Sequence, residues 1–242
     1  MRLFVVGIGP GKPEGMTEEA RLALEQAEVI AGYTAYIKLV QPLFPEKDYL
    51  VTPMRSETER CKLALQAAKT RRAAMVCSGD AGVYGMAGLL YELAADDPET
   101  ELCVIPGITA AQSGAALLGA PLMQDYAVIS LSDLLVPWET IEKRLMGAAI
   151  GDFVTVLYNP ASSRRKNHLR RACEIFIRYR PTETVCGVAQ NIGRQGETSR
   201  LLPLGELMEY EADMFTTVFI GNSKTIEVSG KMVTYRGYAC ER

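Results

Sequence analysis

The sequence predicts an α/β protein of two α/β domains, the N-terminal one on a mostly parallel sheet and the C-terminal one on a mixed sheet. Three observations predict it. In the first half, short apolar runs alternate with helical apolar patterns, which is how a parallel sheet covered on both faces reads. Glycine-rich turns close three of those runs. In the second half strands outnumber helices, which predicts antiparallel pairs.

Taken in order, LFVVG (3–7) is a buried strand, and Thr17 caps the helix EEARLALEQAE, whose first turn carries acids. EVIAG (28–32) is a second strand. Ser56 with Glu59 spells a capping box opening a helix that runs to about Lys69. AAMVC (73–77) is a third strand, followed by the helical pattern VYGMAGLLYELA. LCVIPG (102–107) is a fourth, closed by Pro106-Gly107 ahead of ITAAQSGAALLG. The pattern breaks at GAPLMQD, so the domains are expected at 1–121 and 122–242. Beyond that break, strands are expected at 126–132, 152–159, 183–190, 198–204 and 215–221. Helices are expected at 138–149, 162–179 and 204–211.

Composition narrows the function classes. The chain has 242 residues, 48% hydrophobic and 23% charged, enough for an ample core. A net charge of −3 argues against a nucleic-acid binder working through a global positive field. No apolar run approaches the roughly 18 residues of a membrane span, and MRLFVVGIGPG reads as a strand and turn rather than a signal peptide. Six cysteines lie without CxxC spacing, and the single histidine, His168, has no partner at ligand spacing. Free thiols in a reducing cytoplasm and no metal site are expected.

A ligand in such a sheet sits beyond the carboxyl ends of the strands. Three glycine-bearing ends point there: GIGPG (7–11), SGDAGVYG (78–85) and PGITA (106–110). Asp80 in the second motif has two readings, an ordinary turn residue or an acceptor for a ligand hydroxyl or amine. The dinucleotide fingerprint does not fit, because Pro10 follows the second glycine and the helix does not open until about Thr17. No GxxxxGK[ST] run occurs either. A ligand combining nucleoside, cation and amino-acid tail, such as S-adenosylmethionine, suits these turns better.

In this order and at these spacings, GIGPG, SGDAGVYGMAGLL, PGITA, GAPLMQDYAVISLSDLLVPWE, LYNP and FTTVFIGNS resemble the tetrapyrrole methylase family, the uroporphyrinogen and precorrin methyltransferases. The ISLSDLLVPWE stretch is similar in particular to the branch methylating C-17 of precorrin-3B or cobalt-factor III. Alternatives are the precorrin-4 C-11 branch, diphthine synthase, or a non-catalytic binder of an adenosyl ligand. The resemblance implies a protein, often a homodimer, that binds a small tetrapyrrole, with S-adenosylmethionine folded between the two domains of each chain. Carried over residue by residue, it puts Pro10 beside the cofactor, with Ser78, Gly79, Asp80 and Val83 along its methionine and ribose. Thr109 and Ala110 also meet it, and Tyr158, Asn159, Ala189, Gln190, Thr216 and Thr217 enclose the adenine. Two positions depart from the usual pattern: Gln124 stands where a histidine is usual, and Tyr235 where a proline is common.

The implied reaction is attack by a ring carbon on a sulfonium methyl, with ring contraction through a lactone. Proton-handling candidates are Asp125, Ser130, Ser132, Asp133 and Tyr158, although Asp133 also reads as a helix cap. The carboxylates of the tetrapyrrole call for local cations. The candidates are Arg164 and Arg165 of the serine-capped run SSRRKNHLRR, with Arg55 and Arg236. His168 is expected on an exposed helix face.

Overall fold

The computed structural model describes residues 2–97, 99–162 and 165–238. By its internal contacts the chain divides into two units, Met1–Thr109 and Ala110–Arg242.

In the first unit, strands β1 (Arg2–Gly7), β2 (Val29–Tyr33), β3 (Asp48–Thr52), β4 (Ala73–Cys77) and β5 (Glu101–Ile105) form one sheet in the order β3-β2-β4-β1-β5. Every pairing is parallel. Four helices, α1 (Glu18–Gln26), α2 (Thr34–Val40), α3 (Glu57–Ala68) and α4 (Ala87–Leu93), accompany it. The two-residue period of β1 sorts its side chains between two cores. Leu3 and Val5 pack with Cys61, Ala64 and Leu90, while Phe4 and Val6 pack with Ala20, Leu24 and Ile37. Both faces of one strand are therefore buried, each large side chain contributing roughly 1.5–3 kcal/mol.

Local signals fare unequally here. Thr17 caps α1 as expected, its hydroxyl accepting from the Ala20 amide at 3.1 Å. The Ser56 capping box does not form. Ser56 sits at φ −115°, ψ 36° with no side-chain cap, away from the extended backbone that aims a capping oxygen at the first amides. The helix α2 and the edge strand β3 are additions to the sequence reading. DYLVT in β3 has only three apolar residues between polar ends, and of the five only Thr52 is buried.

In the second unit, β7 (Tyr126–Ser130), β8 (Val154–Tyr158), β9 (Val185–Gln190), β10 (Thr198–Pro203) and β11 (Thr216–Ile220) form a sheet in the order β10-β9-β11-β8-β7. Only β7 and β8 are parallel; the other three pairings are antiparallel, as the strand count predicted. Helices α6 (Trp138–Ile150), α7 (His168–Ile177) and α8 (Leu204–Leu207) share one core, with Ile141, Leu145, Phe176 and Leu204 against Leu157, Val188 and Val218. The opposite face takes α5 (Ala110–Leu118): Ala111, Ala115 and Leu118 pack on Val156, Ala189 and Phe219. Gly114 makes room for the Phe219 ring, which would lie 2.9 Å from a Cβ there. This packing is why residues 110–121, expected in the first domain, belong with the second unit. A short strand β6 (Gly119–Ala120) and the hairpin β12 (Thr225–Val228) and β13 (Lys231–Thr234) make a three-stranded sheet. Ser229 and Gly230, both at positive φ, form the primed two-residue turn that hairpins favour.

The basic run departs from its expected helix. Ser162 and Arg165 exchange backbone bonds of 3.3 and 3.0 Å, and α7 starts only at His168.

Candidate functional site

In the first unit the carboxyl ends of β1, β4 and β5 meet backbone to backbone. Gly9 and Gly79 exchange amide bonds of 3.0 and 2.8 Å, and the Ile8 amide reaches the Cys77 carbonyl at 2.9 Å. A Cβ on Gly7 would lie 2.7 Å from the Gly79 oxygen, and one on Gly107 only 2.1 Å from that same atom. The glycines are thus required first by the junction of the three loops.

Asp80 completes that junction. Its Oδ1 accepts the amides of Gly82 at 2.8 Å and Val83 at 3.0 Å, and its Oδ2 accepts the amide of Gly107 at 2.9 Å. One carboxylate both shapes its own loop and ties it to the loop after β5. The turn reading of Asp80 is therefore realised, and Oδ2, with one protein donor, keeps acceptor capacity for a ligand. Around it the loop exposes Gly82, Val83 and Tyr84, with Tyr84 held at φ 53°. Pro10 packs against Gly15, where a Cβ would come within 2.9 Å of its ring.

In the second unit most of the expected residues share one edge of the mixed sheet. Ser130 pairs with Tyr158, Thr217 with Ala189 and Thr216 with Gln190, so the carboxyl ends of β7, β8 and β9 meet the start of β11. The Ala111 amide at the start of α5 donates to the Tyr158 phenol oxygen at 2.6 Å, so this edge also lies beside Ala110. Asn159, in the left-handed region at φ 53°, donates through Nδ2 to Ser130 Oγ at 3.0 Å, and the Ser132 amide reaches the same oxygen at 3.2 Å. Asp213 was not anticipated. Its Oδ2 accepts from Gln190 Nε2 at 2.7 Å, and its Oδ1 accepts from the Thr216 hydroxyl at 2.7 Å and the Phe215 amide at 2.9 Å. The Asp-x-x-Thr spacing of an Asx turn was the signal available for it.

Asp125 does not join them. It precedes β7 at the opposite end of the strand, five residues and about 16 Å from Ser130 at the usual rise. Gln124 beside it donates to the Tyr235 carbonyl at 2.8 Å and accepts from Asn222 Nδ2 at 3.0 Å. An amide does both at once, so Gln124 and Tyr235, the two departures from the family pattern, are bonded to each other. Arg236 follows Tyr235 at this distant end and is exposed.

The remaining cations are differently placed than expected. Arg164 lies outside the described residues. Arg165 turns inward, its side chain 12% exposed, with Nε on Ser162 Oγ at 3.2 Å and Nη1 3.8 Å from Asp133. His168 is not on an exposed face. It bonds Asp133 through Nε2 at 3.1 Å and sets its ring edge-on to Trp138 at 4.8 Å. Arg171 lies 4.0 Å over the same indole. Asp133 is accordingly no cap; Pro137 occupies the N-cap of α6. Burial alone would raise the Asp133 carboxyl, but the bond from His168 and the charges of His168 and Arg165 hold it below the usual carboxylate range. Arg170 pairs with Glu209 beside a cavity of about 450 Å³ that carries both signs of charge, Lys166 and Glu211 included. The described cysteines are free. Burial pushes the thiols of Cys61 and Cys77 up to about 11 and that of Cys186 to about 12, so none of these three is a ready thiolate.

Comparison with known proteins adds the following. The family described as Tetrapyrrole (Corrin/Porphyrin) Methylases matches residues 2–208. A cobalamin biosynthesis protein, CbiHC, of Archaeoglobus fulgidus is 46% identical over 98% of this chain, which spans only 53% of that protein's length. The probable cobalt-factor III C(17)-methyltransferase of Salmonella typhimurium is 44% identical, with 98% of this chain and 99% of that protein covered. Among solved structures, the methyltransferase CobJ superposes with a TM-score of 0.89 at 36% identity, over 96% of this chain and 99% of that one. A uroporphyrin-III C-methyl transferase from Thermus thermophilus, complexed with S-adenyl homocysteine, shares the fold with a TM-score of 0.70 at 19% identity, over 91% and 97% of the two chains.

Proposed function

The chain belongs to the tetrapyrrole (corrin/porphyrin) methylases, and from that premise we propose that it is an S-adenosylmethionine-dependent C-methyltransferase acting on C-17 of precorrin-3B or cobalt-factor III in cobalamin biosynthesis. The observation that carries this reading is the 44% identity to a cobalt-factor III C(17)-methyltransferase over nearly the whole of both chains.

S-adenosylmethionine supplies a methyl already activated on a sulfonium. The protein's share is to orient donor and ring carbon and to keep water out. In the first unit, the Gly79–Asp80–Val83 loop fits a nucleoside with an amino-acid tail. It offers exposed backbone, small residues and the remaining acceptor capacity of Asp80 Oδ2 for a ribose hydroxyl. Pro10, Ser78 and Thr109 belong to the same proposal. In the second unit, the edge bearing Tyr158, Asn159, Ala189, Gln190, Thr216 and Thr217 is proposed for the adenine. Ser132 and Tyr158 on that edge are the proposed proton-handling groups for ring contraction. Asp125, at the other end of β7, is a weaker candidate for the same step. The carboxylates of the tetrapyrrole are proposed to meet exposed arginines, Arg55 and Arg236. Arg165, engaged with Asp133 and Ser162, serves this role less well. A homodimer in the cytoplasm completes the reading; no described helix is long and apolar enough to cross a membrane.

The test is direct. The purified protein is incubated with methyl-labelled S-adenosylmethionine and, in separate reactions, precorrin-3B and cobalt-factor III. Label entering the tetrapyrrole, with a mass gain of one methyl group, is expected with at least one of them. Failure with both would overturn the reading.

A further inference from the structure

The loop between β3 and α3 is an exposed segment whose base is held by buried bonds. It leaves the sheet at the carboxyl end of the edge strand β3, the end at which parallel sheets present ligand-binding loops. Its tip is Met54-Arg55. Met54 is 45% exposed, and Arg55 is exposed and makes no ion pair or hydrogen bond with any described residue. Arg55 nonetheless holds φ at 68°, in the left-handed region that a long, Cβ-bearing side chain disfavours.

The buried neighbour Arg60 bonds the two residues that enter the tip. Only 5% exposed, it donates from Nε to the Thr52 hydroxyl at 2.7 Å and from Nη2 to the Pro53 carbonyl at 2.9 Å. Its guanidinium lies 5.8 Å over the Tyr33 ring, which is set edge-on to Tyr36. The Thr34 hydroxyl donates to the Thr52 carbonyl at 3.1 Å. The two residues entering the tip are thus clamped from below by three hydrogen bonds, while the tip itself is unpaired. Strain that the surroundings over-determine, at an exposed and otherwise unemployed charge, is the pattern of a pre-set binding group.

We propose that Arg60 is the positioning residue that holds Arg55, the carboxylate contact of the proposed function, in its strained backbone and ready for the tetrapyrrole substrate. The proposal rests on the methyltransferase reading for the identity of the ligand. The chemistry of the tip fits it: a guanidinium meets a carboxylate in bidentate fashion, and the adjoining Met54 offers apolar contact to a flat macrocycle.

The experiment combines three variants, Arg55→Gly, Arg60→Lys and the double variant, with steady-state kinetics on each substrate. Fluorescence titration with uroporphyrin, a porphyrin ringed by carboxylates, runs alongside. Arg55→Gly removes the charge and the backbone strain together. Its thermal midpoint is expected at or above that of the wild type, while KM for the tetrapyrrole and Kd for uroporphyrin rise about tenfold. KM for S-adenosylmethionine should not move. Arg60→Lys cannot make both bonds of the guanidinium, so it should raise the tetrapyrrole KM several-fold in the wild-type background and not in Arg55→Gly. A merely structural Arg60 would act equally in both. Unchanged uroporphyrin affinity in Arg55→Gly, or additive effects in the double variant, would overturn the proposal. If the wild type transfers no methyl group but Arg55→Gly still weakens uroporphyrin binding, the activity reading fails and the carboxylate contact stands.

Discussion

Replacing Gly107 by alanine tests the claim that the glycines at the strand ends serve the loop junction. Gly107 is not at positive φ, so alanine meets no conformational objection there and any cost is steric. Its Cβ would stand 2.1 Å from the Gly79 carbonyl oxygen and 2.6 Å from the Gly7 carbonyl carbon and oxygen. All three obstacles are backbone, so no rotamer change relieves them. The loops after β1 and β4 must part by about 1 Å, loosening the Gly9–Gly79 amide pair and the bond from Gly107 to Asp80. Overpacking commonly costs about 1–3 kcal/mol, and a backbone-on-backbone clash belongs at the top of that range. For a chain of this length, about 3 kcal/mol lowers the thermal midpoint by roughly 6–12 °C. Gly147→Ala is the control. It lies exposed in α6 with nothing within 4 Å of the new Cβ, and should stabilise by about 0.5–1 kcal/mol through helix propensity. Urea and thermal unfolding read both variants, and calorimetric titration with S-adenosylmethionine reads the site. A Gly107→Ala protein within about 0.5 kcal/mol of wild type, binding the cofactor unchanged, would refute the reasoning.

Further outcomes follow from single bonds. Asp80→Asn keeps one acceptor oxygen but cannot serve all three amides, so stability should fall by about 1.5–3 kcal/mol and S-adenosylmethionine affinity several-fold; urea titration and calorimetry check the two together. Tyr158→Phe removes the oxygen that takes the Ala111 amide, and should destabilise by about 1 kcal/mol in chemical unfolding. Asp133 has a lowered carboxyl pKa in the folded protein, so its pairing stabilises fully above the usual 3.8 and is lost as pH falls through the lowered value. Asp133→Asn should therefore cost about 0.5–1 kcal/mol near pH 6, a figure reduced for the partial exposure of the carboxylate, and nothing at pH well below 3. A difference in melting temperature that persists in strong acid would contradict it.

The parallel core was legible because its signals are local and redundant. LFVVG and AAMVC are too apolar to be anything but buried, and each is followed by a turn that ends it. Strand β3 was not, since an edge strand needs only one partner and DYLVT carries no period that separates it from a loop. The position of α5 was illegible for another reason. Its sequence names an apolar helix, but only the hollow left by Gly114 over Phe219 decides which sheet receives it. The hairpin after residue 224 carried its turn in Ser229-Gly230, but its strands are only four residues each and β12 is mostly exposed, too little for a strand pattern.

At the candidate site the same contrast decides which placements could be read from the sequence. Residues that act through the backbone, such as Gly79 and Gly107, are fixed by strand ends, and strand ends can be read from a sequence. Residues that act through a side chain are fixed by what stands opposite, and no spacing shows that. Arg165 and His168 looked like an exposed basic helix because the run SSRRKNHLRR carries no mark of Asp133, which lies 35 residues away from His168 and receives both. Arg55 shows the converse. The sequence offered it only as one of several arginines, and its positive φ above the bonds of Arg60 is what sets it apart from the other exposed ones. A charge that must wait for a ligand in one orientation has to be held by bonds to the backbone beneath it, since its own guanidinium must stay unpaired. If Arg55 meets a substrate carboxylate, as proposed, the mark of that contact is strain beneath an unpaired cation and not the density of basic residues.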